Sequence, residues 1–184
     1  MIAIPRHYKT SDELCQSRSV DQNRISFISF SMGKDSIGAW LQMRRYFDYI
    51  IPVYFTPFPG LQFIADSIGY YEKFFGTRII QVPHPSFMRF FNSVVFQPPE
   101  RIPILENLYF DEYEYEDIFD YLRSELSIGD DIYYATGVRS SDSIYRRVSI
   151  KTHGSLNPTK RSFMAVFDWN QAKLVEELKK SKIK

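Results

Sequence analysis

Residues 25–36 read ISFISFSMGKDS, an apolar, β-rich run that ends in a small, polar turn. The pattern after this turn is helical, so the stretch predicts a strand, a tight loop and a helix. Such a loop presents free backbone N–H groups above the strand end, and the helix dipole adds positive potential there. Lys34 supplies a mobile cation and Asp35 an oxygen ligand suited to Mg²⁺. The stretch therefore predicts a phosphate-binding loop. The residues expected to bind phosphate are Ser29, Ser31, Met32, Gly33, Lys34, Asp35 and Ser36.

The spacing of this loop differs from that of a Walker A motif, which needs G-x-x-x-x-G-K-[ST]. It resembles instead the SGGxDS signature of the PP-loop ATP pyrophosphatase superfamily. Met32 stands where that family usually has its first glycine. An alternative interpretation is an ordinary strand-to-helix turn, in which Ser and Asp side chains cap a helix. The residues that match the signature are Ser31, Gly33, Lys34, Asp35 and Ser36.

The chain has 184 residues, 44% hydrophobic and 24% charged, which is typical of one globular domain. We expect residues 25–184 to form a nucleotide-binding domain, and residues 1–24 to form an arm or a short helix laid over it. No apolar run approaches the ~18 residues of a membrane span and no secretory pattern is visible, so we expect a cytoplasmic protein without membrane contact. Cys15 is the only cysteine, which excludes an internal disulfide and argues against an iron–sulfur cluster or a zinc site.

Strand and helix patterns alternate along the chain. The expected strands are the one before Ser31 and residues 49–55, 78–82, 131–136 and 163–167. The expected helices are residues 37–47, 61–75, 115–126 and 170–180, with a short helix within 87–96 and a long polar loop from 137 to about 160. This alternation predicts a single α/β doubly wound domain with a mainly parallel, five-stranded sheet. Ligands of such sheets bind at the carboxyl ends of the strands.

A second motif follows the strand expected at residues 131–136. Gly137 lets the backbone approach a ligand closely, and Arg139, Arg146 and Arg147 offer donors for phosphate or sulfate oxygens. The alternative is that Arg139 pairs with a carboxylate while the other two arginines face solvent. The segment resembles the G-[IV]-R-x-x-[ED]-S-x-x-R motif of the phosphoadenosine phosphosulfate (PAPS) reductase family, a branch of the PP-loop superfamily. The residues in register are Gly137, Val138, Arg139, Asp142, Ser143 and Arg146.

A third segment, residues 163–169 with the helix after it, is similar to the apolar strand, tryptophan and helix of that family. Together the resemblance implies an adenine nucleotide alpha hydrolase-like fold that binds ATP or PAPS. Members that use ATP cleave it between the α and β phosphates. In this chain Lys34, Asp35 and Arg139 would be the catalytic residues, and Asp35 would hold Mg²⁺ with the nucleotide.

Three departures from the family pattern bear on function. Members that reduce sulfonucleotides carry a catalytic cysteine in the tail, whereas no cysteine follows Cys15 here. Residues 58–60 are Phe-Pro-Gly where the family often has Asp-Thr-Gly, so one carboxylate is missing. Met32 stands where the pattern has its first glycine, and it places a side chain where the family often brings bare backbone near the anion.

Three functions stay open on this basis. The first is cleavage or transfer at the α-phosphate of ATP, with adenylation of an unknown acceptor. The second is a PAPS-binding or APS-binding, reductase-like protein that takes its thiol from a protein partner. The third is a non-catalytic nucleotide-binding partner in nucleic-acid modification or regulation, in which the basic tail at residues 179–184 contacts nucleic acid. That tail is otherwise a solvated helix end whose cations complement the dipole.

Overall fold

The structure is a computed structural model, and it describes residues 7–95 and 97–183. The strands are β1 Ile25–Ser29, β2 Tyr49–Thr56, β3 Ile80–Pro83, β4 Tyr134–Thr136, β5 Leu156–Asn157 and β6 Ser162–Met164. The helices are α1 Ser11–Asp21, α2 Lys34–Met43, α3 Gln62–Phe75, α4 Ser86–Asn92, α5 Ile102–Leu105, α6 Tyr115–Glu125, α7 Ile144–His153 and α8 Gln171–Ser181, with a 3-10 turn at Pro99–Arg101. No helix among the described residues is long and apolar enough to cross a membrane.

The strands form one sheet in the order β3-β2-β1-β4-β6-β5. All neighbouring strands run parallel except β5, which pairs antiparallel with β6. From β1 the sheet extends through β2 to β3 on one side, whereas β4 lies on the other side of β1. The strand order therefore reverses between β1 and β4, and such a switch point is where doubly wound sheets bind their ligands. The expected α/β doubly wound fold is confirmed.

The structure differs from the expected elements in two places near the end of the chain. The sheet has a sixth strand, because the two-residue strand β5 joins the edge next to β6. The prediction of a long polar loop from 137 to about 160 was wrong, since α7 lies within it. Ser143 caps this helix by accepting a hydrogen bond from the Arg146 N–H, and no residue of α7 is buried. Three of the ten residues of α7 are Arg or Lys, and this polar composition favoured a loop over a helix.

The N-terminal segment contains a helix that packs on the domain. Leu14 and Cys15 of α1 are fully buried, and the Thr10 hydroxyl accepts a hydrogen bond from the Glu13 N–H at the start of the helix. Gln22, just after α1, is also buried, and its Oε1 accepts a hydrogen bond of 2.7 Å from the Tyr133 N–H. Residues 1–6 lie outside the described part of the chain, as do Phe96 of the expected 87–96 helix and Lys184 of the basic tail. The domain boundary at residue 24 stays a prediction.

The sheet carries one apolar cluster on each face. On one face Phe27 of β1 packs against Phe119 of α6, with the ring centroids 5.4 Å apart and the rings tilted by 57°. The larger cluster on the other face joins α1, α2 and α8, and it contains the fully buried Trp169 and Leu174. Trp169, the tryptophan of the segment at residues 163–169, thus packs in the core. The core thus fixes α2 and α8 against each other directly behind the first loop.

We expect Leu174→Ala to lower the free energy of unfolding by about 2–5 kcal/mol, because it removes a fully buried side chain and leaves a cavity. Val175→Ala is the matched control, because Val175 is the next residue of α8 and its side chain lies at the surface. This variant should change the free energy of unfolding by less than about 0.5 kcal/mol. Urea denaturation measures both. Equal losses in the two variants would contradict the packing of α8 described here.

Candidate phosphate site between β1 and β4

The loop after β1 is held by its own serines. The Ser36 hydroxyl donates a hydrogen bond of 2.9 Å to the Gly33 carbonyl, and it lies 3.2 Å from the Ser31 hydroxyl. The Gly33 N–H donates a longer hydrogen bond, 3.4 Å, to the Ser31 hydroxyl. Gly33 is the N-cap of α2, which begins at Lys34, three residues earlier than the spacing indicated. The polar turn is therefore short, and the first turn of α2 already belongs to the site.

Met32 occupies the backbone conformation that favours glycine. Its φ angle is +60°, in the left-handed region, where a residue with a Cβ is strained by about 1–2 kcal/mol. The side chain is half-buried and packs against the larger apolar cluster. The loop thus keeps a left-handed bend at a residue that carries a side chain, and the contacts of Met32 with the apolar cluster offset part of the strain.

Gly137 brings the second loop against the first. A Cβ at this position would lie 2.6 Å from the carbonyl carbon and oxygen of Asp35 and 2.7 Å from the Ser36 nitrogen. Contacts that short with backbone atoms cannot be relieved by turning a side chain. The approach follows from the parallel pairing of β1 with β4, in which Ile28 lies opposite Ala135. The two expected phosphate loops therefore touch backbone to backbone.

Five charged side chains connect the two loops, and we call them the charge chain. The Lys34 Nζ lies 2.8 Å from Asp35 Oδ2, and Asp35 Oδ1 lies 2.9 Å from the Arg139 Nε. Arg139 also places its Nη2 2.7 Å from Asp142 Oδ1. The other oxygen of Asp142 lies 2.7 Å from the Arg146 Nη1. Positive and negative groups alternate along this charge chain. Its three cations and two carboxylates give these five side chains a formal net charge of +1.

The ends of the charge chain are open to solvent and its centre is not. The side chains of Lys34 and Arg146 are each 51% exposed, whereas that of Arg139 is 4% exposed. Arg139 Nη2 reaches Gln171 Oε1 of α8 at 3.3 Å. Its Nε is close to Asp35 but poorly aligned for a hydrogen bond, and its Nη1 is buried without a partner among the described residues. Lys34 and Arg146 can thus turn toward a ligand, while Arg139 holds the two carboxylates in place.

Asp142 is ionised and tightly held. Burial alone would raise the pKa of its carboxyl group, but the hydrogen bond from the Arg139 N–H, at 3.2 Å, and the charges of Arg139 and Arg146 lower the pKa below its ordinary value. Asp142 belongs to the sequence motif at residues 137–146, which by itself predicts no ligand for it. Its spacing of four residues from Arg146 is the signal that could have identified the pair.

The remaining expected residues stand apart from the charge chain. Ser29 is the last residue of β1 and lies below the loop. Arg147 is exposed on α7, and in the described part of the chain no hydrogen bond or ion pair joins it to the charge chain. Cys15 is buried, its Sγ is 3.7 Å from the Ala165 carbonyl, and burial raises the pKa of the thiol. This cysteine therefore does not present a reactive thiolate at the loops.

The residues that could hold magnesium are few. Within residues 7–95 and 97–183, no group of three or more His, Cys, Asp or Glu side chains could hold a metal ion without help from a ligand. Asp35 is the expected metal ligand, and both of its oxygens contact cations. A Mg²⁺ ion needs only one or two carboxylates when phosphates and water complete its shell. The site fits a metal that arrives with a nucleotide, provided that Lys34 releases Asp35.

No protein-family model matches the chain, and no curated protein matches its sequence. Among solved structures, the chain is similar to a predicted subunit of a tRNA methyltransferase from Methanocaldococcus jannaschii, with 14% identity and a TM-score of 0.39. That similarity covers 83% of this chain and 72% of the other. At this level the similarity carries no argument about function.

We expect Gly137→Ala to destabilise the protein by about 1–3 kcal/mol, because the new methyl group overlaps the backbone of α2. Gly69→Ala, within α3, is the control: nothing lies within 4 Å of its added Cβ, and alanine is the better helix former. Urea denaturation of both variants is the measurement. A loss in Gly69→Ala as large as that in Gly137→Ala would argue against a specific contact between the loops.

Asp142 predicts an acid-sensitive contribution to stability. Because its pKa is lower in the folded than in the unfolded chain, where it is near 3.8, its contribution is present above about pH 4 and lost as the pH falls through the lower folded value. Asp142→Asn should lower the free energy of unfolding at pH 7, and this free energy should then fall less steeply below pH 4. The control Asp111→Asn, at an exposed position, should have neither effect. Thermal unfolding between pH 2 and 7 tests this. If the stabilities of the wild type and of Asp142→Asn fall equally steeply below pH 4, the prediction is wrong.

Proposed function

We propose that the protein binds an adenine nucleotide with its phosphates between β1 and β4, and that it acts at the α-phosphate of ATP. The observation that carries the proposal is the charge chain, which lies at the switch point of a doubly wound sheet with a cation at each open end. The backbone N–H groups at the start of α2 add donors for an anion. This combination favours a polyanionic ligand over a neutral one.

Each residue of the charge chain has a distinct part in this proposal. Lys34 turns from Asp35 to the β and γ phosphates, and Arg146 turns from Asp142 to the anion. Arg139 stays buried and positions both carboxylates. Its Nη1, which has no partner among residues 7–95 and 97–183, is a donor for an oxygen that comes within reach. An acceptor oxygen or nitrogen attacks the α-phosphorus, the bond to the bridging oxygen of the β-phosphate breaks, and pyrophosphate leaves with that electron pair. Lys34 and the loop N–H groups stabilise the charge that grows on it.

Magnesium belongs to this proposal as a companion of the nucleotide. When bound to Asp35 and the phosphates, it would neutralise negative charge on the leaving pyrophosphate. Asp35 would then exchange its contact with Lys34 for the metal, which frees the Lys34 ammonium group for the phosphates.

One observation favours a second candidate. Both oxygens of Asp35 already contact cations, an arrangement that also suits a metal-free sulfonucleotide such as PAPS. In that case the thiol has to come from a protein partner, because Cys15 is buried in the core. The two candidates share the anion site and differ in their need for magnesium.

We expect Lys34→Ala to weaken ATP binding at least tenfold while the fold stays intact, because a charge-assisted hydrogen bond to phosphate is lost and Lys34 is half exposed. Lys73→Ala removes the same charge from α3, near the start of β2, and should leave affinity unchanged. Titration calorimetry with ATP, with and without Mg²⁺, and with PAPS measures these affinities. Release of pyrophosphate on addition of candidate acceptors then tests the chemistry.

The outcomes separate the candidates. Magnesium-dependent binding of ATP that is lost in Lys34→Ala supports action at the α-phosphate. Tighter, magnesium-independent binding of PAPS supports the reductase-like candidate. If neither nucleotide binds the wild-type protein, or if Lys34→Ala and Lys73→Ala behave alike, the proposed site is wrong.

A further inference from the structure

Two stretches of the chain form helices that bury no residue. One is α7, and the other is the connection from β3 to α6, in which α4, the 3-10 turn and α5 bury none. Helices on a domain surface normally bury an apolar face, because packing of that face supplies most of their stability. In α7, Ile150 packs partly against the core. Both stretches therefore leave apolar side chains available to a partner.

The outward face of α7 combines apolar side chains with cations. Ile144 is 76% exposed and Val148 57%. Arg147 and Lys151 are exposed as well, and neither forms an ion pair with any residue that the structure describes. At about 100° per residue, these four side chains share one third of the helix surface, and Ile150 lies outside that third. Their spacing of three, four and seven residues after the first is the pattern by which a helix presents one face to a partner.

The connection from β3 to α6 carries a surface of the opposite charge at residues 98–111, which we call the acidic segment. Two of its carboxylates, Glu106 and Asp111, are exposed and form no ion pair within the described part of the chain. An exposed apolar patch with a charged rim marks an interaction surface. The exposed apolar side chains of the acidic segment are Ile104 (63%), Leu108 (49%) and Tyr109 (78%).

Both surfaces project from one edge of the sheet. The connection that carries the acidic segment leaves the carboxyl end of β3 at His84 and returns to it at Tyr115, whose hydroxyl oxygen lies 2.6 Å from His84 Nε2. The helix α7 follows the carboxyl end of β4. Three strand spacings separate β3 from β4, or about 14 Å. Among residues 7–95 and 97–183, no hydrogen bond or ion pair joins the acidic segment to α7.

The two surfaces complement each other. The outward face of α7 needs a partner that is apolar and acidic, and the acidic segment has both properties. Each chain carries both halves of this contact, and its formal net charge of +1 leaves little repulsion between copies. Because both surfaces lie at the same edge, a twofold axis between them brings each α7 to the acidic segment of the other copy. Together the two surfaces supply about 20–30 residues per copy, which is the size of a standard interface.

We propose that the protein forms a twofold homodimer in which the outward face of α7 binds the acidic segment of the second copy. Ile144 and Val148 pack against the apolar side chains of that segment, while Arg147 and Lys151 face its carboxylates. The loops after β1 and β4 lie between the two symmetry-related contacts, so the dimer encloses the charge chain of each copy. The dimer does not depend on the nucleotide chemistry proposed above.

The test is sedimentation velocity of the full chain over about a hundredfold range of concentration. The wild type should shift from monomer to dimer. The double variants Arg147→Glu/Lys151→Glu and Glu106→Lys/Asp111→Lys should each raise the dimer dissociation constant about a hundredfold, because each places like charges together in both contacts. Combining all four reversals should restore the dimer, because opposite charges then face each other again.

Two controls separate this contact from general effects of charge and of apolar surface. Lys179→Glu/Lys182→Glu reverses two exposed cations at the end of α8 and should dimerise like the wild type. Val148→Ser should weaken the dimer about tenfold, because it removes apolar area from both contacts. Val20→Ser, at a position on α1 that is 73% exposed, should leave the dimer unchanged. All of these side chains are exposed, so each variant should stay folded, which circular dichroism checks.

Four results would each overturn the proposal. They are a wild type that stays monomeric at every concentration, self-association that continues beyond the dimer, equal losses in the α8 control and the α7 double variant, and failure of the four combined reversals to restore the dimer. None of these measurements involves a nucleotide, so they are independent of the test of the phosphate site.

Discussion

The contact between Gly137 and the backbone of Asp35 and Ser36 is the constraint on which the candidate site depends. Parallel strands that are neighbours bring their carboxyl ends to one edge, so the loops after β1 and β4 compete for the same space. Without a Cβ at residue 137 the loops can touch, and Arg139, two residues farther along, reaches Asp35. The charge chain is thus a consequence of backbone packing as well as of charge.

The buried guanidinium group of Arg139 explains how the site keeps its shape without a ligand. Removing an arginine from water costs several kcal/mol unless its charge is compensated. Two carboxylates provide that compensation, and Gln171 of α8 contacts the same group. The loop is further attached by the Ser140 N–H to the Phe167 carbonyl and by the Ser141 hydroxyl to the Trp169 carbonyl. Groups held in this way need little rearrangement when charge develops, which is the condition for electrostatic stabilisation of a reaction.

The charge chain and α7 are adjacent in the sequence but differ in how far they are buried. The charge chain is half enclosed and braced by the core, whereas in α7 no residue is fully buried and Ile150 packs only partly against the core. Asp142 joins the two, because it contacts both the buried Arg139 and the exposed Arg146. A ligand that draws Arg146 away from Asp142 would break the ion pair that connects the first turn of α7 to Arg139 through Asp142.

The sequence by itself determined the strands and helices in which apolar residues recur regularly over many positions. The strand expected at residues 49–55 is found at Tyr49–Thr56, and the helix expected at 61–75 is found at Gln62–Phe75. It also predicted Lys34 and Arg139 as donors for an anion and Asp35 as a ligand for Mg²⁺, because loop position and residue type are local properties. It failed for α7, whose only signals are the Ser143 cap and the closing Gly154.

Only the tertiary structure decided how those residues are used. That Arg139 lies between two carboxylates, that Arg147 stands apart from them and that Cys15 is in the core depend on which strands are neighbours. Asp35 and Arg139 are separated by about one hundred residues, and their contact exists because β4 returns to the free side of β1. Local propensity encodes a strand or a helix, whereas the order of the strands depends on burial of the whole sheet. That order decides which residues far apart in the sequence, such as Asp35 and Arg139, come into contact.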